Sequence, residues 1–265
     1  MRSGEAYAAA KAAGRAAVVG YLPAGFPSYD GCLEAMKAMV DGGVDIVEVG
    51  LPYSDPVLDG PVIQAATERA LRGGTRIFDV LRTAEAVAGM GVATVVMTYF
   101  NPVLAYGVER FAADLAAAGG SGLITPDLIP DEAAEWLEVA AARDLERIFL
   151  VAPSSSASRI AATVEACDGW VYAASTMGVT GARAATSQVA PSLVGRVREH
   201  TDLPIGVGLG VSNGEQAAEV ASYADGVIVG SALVRCLLDS ESPAAGVAAV
   251  GALTADLAAG VRRAA

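Results

Sequence analysis

The chain has 265 residues, 53% of them hydrophobic, and its 18 Lys and Arg against 30 Asp and Glu leave a formal net charge of -12. That balance argues against nucleic acid as a partner, since such binders concentrate Lys and Arg on one face, yet it leaves room for a small anionic substrate. Cys32, Cys167 and Cys236 are scattered and form no CxxC pair, a pattern of reduced thiols in a cytoplasmic protein rather than of a disulfide framework.

Eight short apolar runs follow one another along the chain: VVGYLP (18–23), DIVEVG (45–50), TVVMTY (94–99), GLITP (122–126), RIFLVAP (147–153), WVYAAS (170–175), PIGVGLG (204–210) and GVIVGS (226–231). Ala-rich amphipathic stretches separate most of them, such as DEAAEWLEVAAARD and SNGEQAAEVASYAD, the latter opening on a Ser212-x-x-Glu215 capping box. Strands alternating with helices imply parallel pairing, and eight such units predict an α/β fold closed as one (β/α)8 TIM barrel over residues 1–265. Two connections are longer than the others, those after the second and sixth strands. The extra length falls in LPYSDPVLDGP and TMGVTGARAATSQ, on the face where such barrels carry catalysis. No apolar run approaches the roughly 18 residues of a membrane helix. Glu5, Lys11 and Arg15 break the apolar start, which makes a poor signal peptide.

Elimination narrows the chemistry. The only histidine, His200, ends a helix-like stretch before the seventh strand, on the opposite face of the barrel. The only lysines, Lys11 and Lys37, lie at no strand end, so a Schiff base lacks its amine. A catalytic zinc lacks imidazole and clustered thiolates, and a nucleophile lacks a histidine base. Carboxylates, Tyr, Ser, Thr and Asn remain.

Glu48 stands between Val47 and Val49 in a core strand. If the valines face the helices, Glu48 points into the barrel mouth, and burial there raises its pKa toward the range useful for proton transfer. The alternative is a structural glutamate paired with a buried arginine. Asp59 lies in an Asp-Gly turn between Pro56 and Pro61, which turn chemistry alone would also explain. Tyr172 points inward if the parity of Trp170, Tyr172 and Ala174 holds; a core aromatic is the competing reading. Gly178 and Gly181 after strand six, Gly208 and Gly210 after strand seven, and Gly230-Ser231 after strand eight suit a phosphate cradled by backbone amides, although plain turn glycines have the same pattern. No Walker A or G-x-G-x-x-G motif is present.

Together, VEVGLPYSDPVLDGP, MTYFNPVLAYG, GLITPDLIPDE, GVTGAR, GVGLGVS and GVIVGSALV resemble, in order, the motifs of the tryptophan synthase α subunit family. The resemblance spans roughly residues 17 to 240. It implies retro-aldol cleavage of indole-3-glycerol phosphate to indole and glyceraldehyde 3-phosphate, with no cofactor in this chain. By motif, Glu48 would be the acid/base, Asp59 would hold the ring N–H, and Tyr172 would orient the site. Gly181, Gly210, Gly230 and Ser231 would bind the phosphate, while Tyr21, Met97, Ile124 and Leu150 would line the indole pocket. The resemblance also implies a pyridoxal-phosphate (PLP) β subunit as partner in an α2β2 assembly, facing Pro52–Pro61 and Asn101–Gly107, and a cytoplasmic location with neither membrane nor nucleic acid. Ile129, Met177 and Leu58 depart from residues common in the family. A stand-alone lyase, or a barrel kept mainly to activate the β subunit, is the alternative.

Overall fold

The computed structural model describes residues 1–174, 189–208 and 210–263. All eight apolar runs form strands: β1 (Ala17–Pro23), β2 (Ile46–Gly50), β3 (Ala93–Met97), β4 (Gly122–Thr125), β5 (Glu146–Val151), β6 (Val171–Ala174), β7 (Ile205–Gly208) and β8 (Gly226–Val229). They pair in parallel, in sequence order, and β8 returns to β1 to close the barrel. The helices are α1 (Ser3–Ala12), α2 (Tyr29–Gly42), α3 (Pro61–Arg72), α4 (Ile77–Ala88), α5 (Phe100–Tyr106), α6 (Val108–Ala117), α7 (Ala134–Ala141), α8 (Ala157–Ala166), α9 (Val189–Arg198), α10 (Gly214–Ala221), α11 (Ser231–Leu238) and α12 (Pro243–Arg263).

Local chemistry sets several boundaries. Ser28 caps α2 by accepting from the Gly31 N–H, and the helix stops at Gly43, whose φ of 99° is left-handed. Pro61 opens α3 at a first-turn position where its missing N–H costs nothing. The cap of α10 sits one residue beyond the expected Ser212. Asn213 accepts from the Gln216 N–H, and the Gln216 side chain returns to the Ser212 N–H. The long connection after β2 is also more than a loop, because the helix α3 precedes α4 within it. Its length is a barrel insertion at the catalytic end.

Strand parity divides the apolar side chains into two layers. Val47, Val49, Val96, Leu123 and Val207 face the helices, whereas Val19, Ile46, Val95, Ile124, Ile148, Trp170, Tyr172 and Ile228 fill the interior. The register stacks the interior by alternate strands. Tyr21, Met97, Leu150 and Gly208 form the layer at the mouth; Glu48, Ile124, Tyr172 and Ile228 form the next; Val19, Val95, Ile148 and Gly206 lie beneath. Interior glycines make room for aromatics from neighbouring strands. A Cβ at Gly208 would stand 2.7 Å from the Tyr172 hydroxyl, and one at Gly50 would collide with the Tyr21 ring.

The floor is closed by α1, which sends Ala6, Tyr7 and Ala10 into the interior cluster. A second buried glutamate, Glu146, fixes that plug. Its carboxylate accepts from the Ser3 N–H at 2.9 Å, from the Ser3 hydroxyl and from the Gly4 N–H at 2.8 Å. These are first-turn donors of a helix, which lack intrahelical acceptors. The 21-residue α12 is long and apolar enough to cross a membrane by length and composition. In the fold it packs on α2, α10 and α11 through buried Val250, Thr254, Leu257 and Val261.

Replacing Glu146 by alanine strands the first-turn donors of α1. The expected loss is roughly 3 kcal/mol of unfolding free energy, two or three unsatisfied groups at about 1–3 kcal/mol each less relaxation. Arg2→Ala removes solvent-exposed ion pairs to Asp144 and Asp168 and a longer contact, 3.6 Å, to Glu146, whose three hydrogen bonds from Ser3 and Gly4 remain; it should cost less, about 1 kcal/mol. Urea denaturation of both variants checks the ranking.

Candidate active site

A cavity of about 370 Å³ opens at the C-terminal ends of the strands, lined among others by Tyr21, Glu48, Asp59, Met97, Leu150, Tyr172, Ile228 and Ser231. Parity places Glu48 here: Val47 and Val49 pack outward and Glu48 faces inward with Ile46. The Glu48 side chain is buried, and neither carboxylate oxygen has a hydrogen-bond partner among the described residues. No Lys, Arg or His among them lines the cavity. The arginine-paired alternative is therefore absent from this part of the chain. Burial pushes the Glu48 carboxyl up to about 8, so at neutral pH it holds its proton. Burial likewise raises the phenols of Tyr21 and Tyr172, helped by nearby carboxylates, so both remain neutral.

Asp59 reaches the same cavity from the loop after β2. Its Oδ1 accepts from the Tyr99 hydroxyl at 3.0 Å, and that hydroxyl oxygen accepts from the Leu58 N–H at 2.8 Å. One phenol thus holds two successive residues of the loop. The Tyr99 ring in turn lies 5.5 Å from that of Tyr53, whose hydroxyl accepts from the Asn101 side-chain amide at 2.9 Å. The loop is held to the start of α5 on both sides. Partial burial raises the Asp59 carboxyl, an effect that the Tyr99 hydrogen bond partly offsets.

At the other end of the cavity lie Gly208, Gly210, Gly230 and Ser231. Gly210 has φ +73°, a left-handed conformation that favours glycine. The Val234 N–H reaches back to the Gly230 carbonyl and starts α11, leaving the earlier first-turn amides without intrahelical acceptors. A short helix with its N-terminus on the cavity after β8 is a recurrent phosphate site in these barrels.

Of the eleven residues to which the family resemblance gives roles, ten fall among those described, and nine of them line this cavity: Glu48, Asp59, Tyr172, Gly210, Gly230, Ser231, Tyr21, Met97 and Leu150. Ile124 does not. It is fully buried in the interior cluster, and Ile228 lines the cavity from the same layer instead. Gly181, and with it Met177 of the strand-six loop, lies outside the described residues. Tyr99 and Ile228 were not foreseen. Tyr99 directly follows a recognised strand, yet only the folded loop reveals its bond to Asp59. His200 stands exposed past the end of α9, and Lys37 pairs with Asp41 on the surface.

Fold and cavity together define a (β/α)8 barrel enzyme whose cavity at the C-terminal ends of the strands holds two carboxylic acids and, among the described residues, no Lys, Arg or His. A family model described as tryptophan synthase alpha chain matches residues 7–262. The tryptophan synthase alpha chain of Acidothermus cellulolyticus is 63% identical over 260 residues, covering 98% of this chain and 97% of the relative, and that of Nocardia farcinica is 60% identical over 263 residues, covering 99% and 97%. Among solved structures, Mycobacterium tuberculosis tryptophan synthase superposes with a TM-score of 0.93 at 59% identity, covering 98% of each chain. The alpha subunit of Legionella pneumophila superposes with 0.89 at 30% identity, covering 99% of each chain. The chain belongs to the tryptophan synthase alpha chain family.

The raised Glu48 carboxyl makes stability depend on pH. Between the ordinary value of 4.5 and about 8 the folded state keeps a proton that the unfolded state releases. Stability therefore falls as pH rises through that window and levels off above it. Glu48→Gln removes this dependence. Relative to wild type it should gain roughly 3–5 kcal/mol between pH 5 and pH 8.5, measured as the difference between urea midpoints; parallel pH profiles would contradict the assignment.

Proposed function

We propose that the chain cleaves indole-3-glycerol phosphate to indole and glyceraldehyde 3-phosphate with Glu48 as the proton carrier. The observation that carries this reading is the buried Glu48 carboxyl, without a hydrogen-bond partner among the described residues and pushed up to about 8 by burial, in the wall of a cavity of about 370 Å³. Glu48 first gives its proton to indole C3, turning the ring into a cationic indolenine. The resulting carboxylate then takes the proton of the hydroxyl on the carbon attached to C3. That carbon becomes the aldehyde, the carbon–carbon bond breaks, and its electron pair restores the indole ring. The carboxyl ends the cycle protonated, so no external proton is consumed. Asp59, with Oδ1 engaged by Tyr99, would accept the ring N–H and stabilise the positive charge that develops there. Tyr172 would orient the substrate beside Glu48.

The phosphate would rest on the amides around Gly210, Gly230 and Ser231, with Gly181 completing the site. Tyr21, Met97, Leu150 and Ile228 supply the apolar wall for the ring. A β-subunit partner is supported by exposed Val57, Leu58, Leu104 and Ile129, all on βα connections at the mouth of the barrel. Isolated apolar side chains are ordinary on a surface, but several around one opening suit a protein contact. PLP would belong to that partner, which would take up indole in an α2β2 assembly in the cytoplasm.

Indole release from indole-3-glycerol phosphate tests the reading. Glu48→Gln should lower kcat by about 10²–10⁴, and Asp59→Asn by less, because it weakens charge stabilisation without removing the proton carrier. A Glu48→Gln enzyme with full turnover, alone and with the β subunit added, would reject it.

A further inference from the structure

Toward the floor of the barrel, Gly206 of β7 and Gly226 of β8 leave interior volume that is filled from outside the sheet, by Tyr7 of α1. Tyr7 of α1 is buried, and a Cβ at Gly206 would come 2.5 Å from its hydroxyl, one at Gly226 2.6 Å. Gly206 belongs to the interior layer directly beneath that of Glu48 and Tyr172. The Tyr7 ring lies 5.4 Å from Trp170, and Trp170 stacks at 5.8 Å on Tyr172. Trp170 is itself tied to the floor by its N–H bond to the Ser3 hydroxyl. An aromatic column therefore runs from α1 to the catalytic cavity.

We propose that Tyr7 is a positioning residue for Glu48: its ring plugs the barrel below the carboxyl and keeps water from reaching it through the floor. Removing the ring would open roughly 100 Å³, room for about three waters at ~30 Å³ each. A hole lined only by hydrocarbon stays dry, but this one would open into the layer directly beneath a buried carboxyl whose oxygens have no hydrogen-bond partner among the described residues, a polar group that water entering from the floor would solvate. Water at Glu48 stabilises its ionised form. The titratable groups facing Glu48 are Tyr21 from β1, Tyr172 from β6, Asp59 from the loop after β2 and Tyr7 from α1; no cation faces it among the described residues. Toward the floor, Tyr7 also senses Asp45 and Asp225. These carboxylates are held by Arg15 and Arg198 respectively.

The bearing of this plug on catalysis rests on the proton-carrier reading, so the test measures the carboxyl itself. In the full chain without substrate, the carboxyl 13C resonance of Glu48, assigned by its loss in Glu48→Gln, is titrated by NMR. Tyr7→Ala should move the midpoint down by about one to two pH units, and the pH profile of indole release should move with it. Tyr7→Phe, which keeps the ring, should stay within about 0.3 units of wild type. If Tyr7→Ala does not fold, Tyr7→Leu should show a smaller shift in the same direction. An unmoved midpoint in a folded ring-deleting variant, or an equal shift in Tyr7→Phe, overturns the plug. A shifted midpoint in an enzyme whose Glu48→Gln variant is fully active would leave the plug standing and remove only the proton-carrier reading.

Discussion

The structure turns on a carboxylic acid deprived of water. Two glutamates are buried within one barrel interior, and their surroundings are opposite. Glu146, at the floor, accepts from two backbone amides and a hydroxyl and fastens α1 to the barrel. Glu48, toward the mouth, has no partner for either oxygen among the described residues and is pushed up to about 8. The same side chain serves as a clamp where donors converge and as an acid where they are withheld. Withholding donors from a buried carboxyl is unfavourable for the fold, and a large apolar core around the barrel offsets it.

Much of this was legible in the sequence. Eight apolar runs gave eight strands because a parallel sheet covered on both faces needs continuous hydrophobic segments. The alternation Val47-Glu48-Val49 put the acid inside because strand side chains alternate strictly. Depth along the axis was not legible. Ile124 and Ile228 both point inward, but which of the two borders the cavity depends on register and on the bulk of neighbours that the linear chain does not rank. Nor was Tyr99 legible as the anchor of Asp59, since that bond exists only once a 40-residue excursion has closed. The cap of α10 moved by one residue because Asn213 and Gln216 complete a ring of bonds as well as the Ser and Glu beside them.

Volume is traded across strands throughout the interior. Gly50 yields to Tyr21, Gly208 to Tyr172, and Gly206 and Gly226 to Tyr7. Tyr21 and Tyr172 at the site thus each have a glycine opposite, so their orientation is set from across the sheet as well as by their own strands. The polar rim is then built on these fixed rings by loops, with helix and turn amides around Gly210, Gly230 and Ser231 at one end of the cavity and side chains at the other.

Asp127 has a quieter place in this arrangement. Both of its oxygens accept from the Phe100 N–H, at 3.0 and 3.1 Å, so a residue beyond β4 caps the helix that begins right after Tyr99. Tyr99 is therefore gripped on one side by a neighbouring loop and grips Asp59 on the other. Three consecutive mouth loops are thus joined by side-chain hydrogen bonds into one mechanical train, which makes the exposed Leu104 face of α5 continuous with Asp59 in the cavity wall.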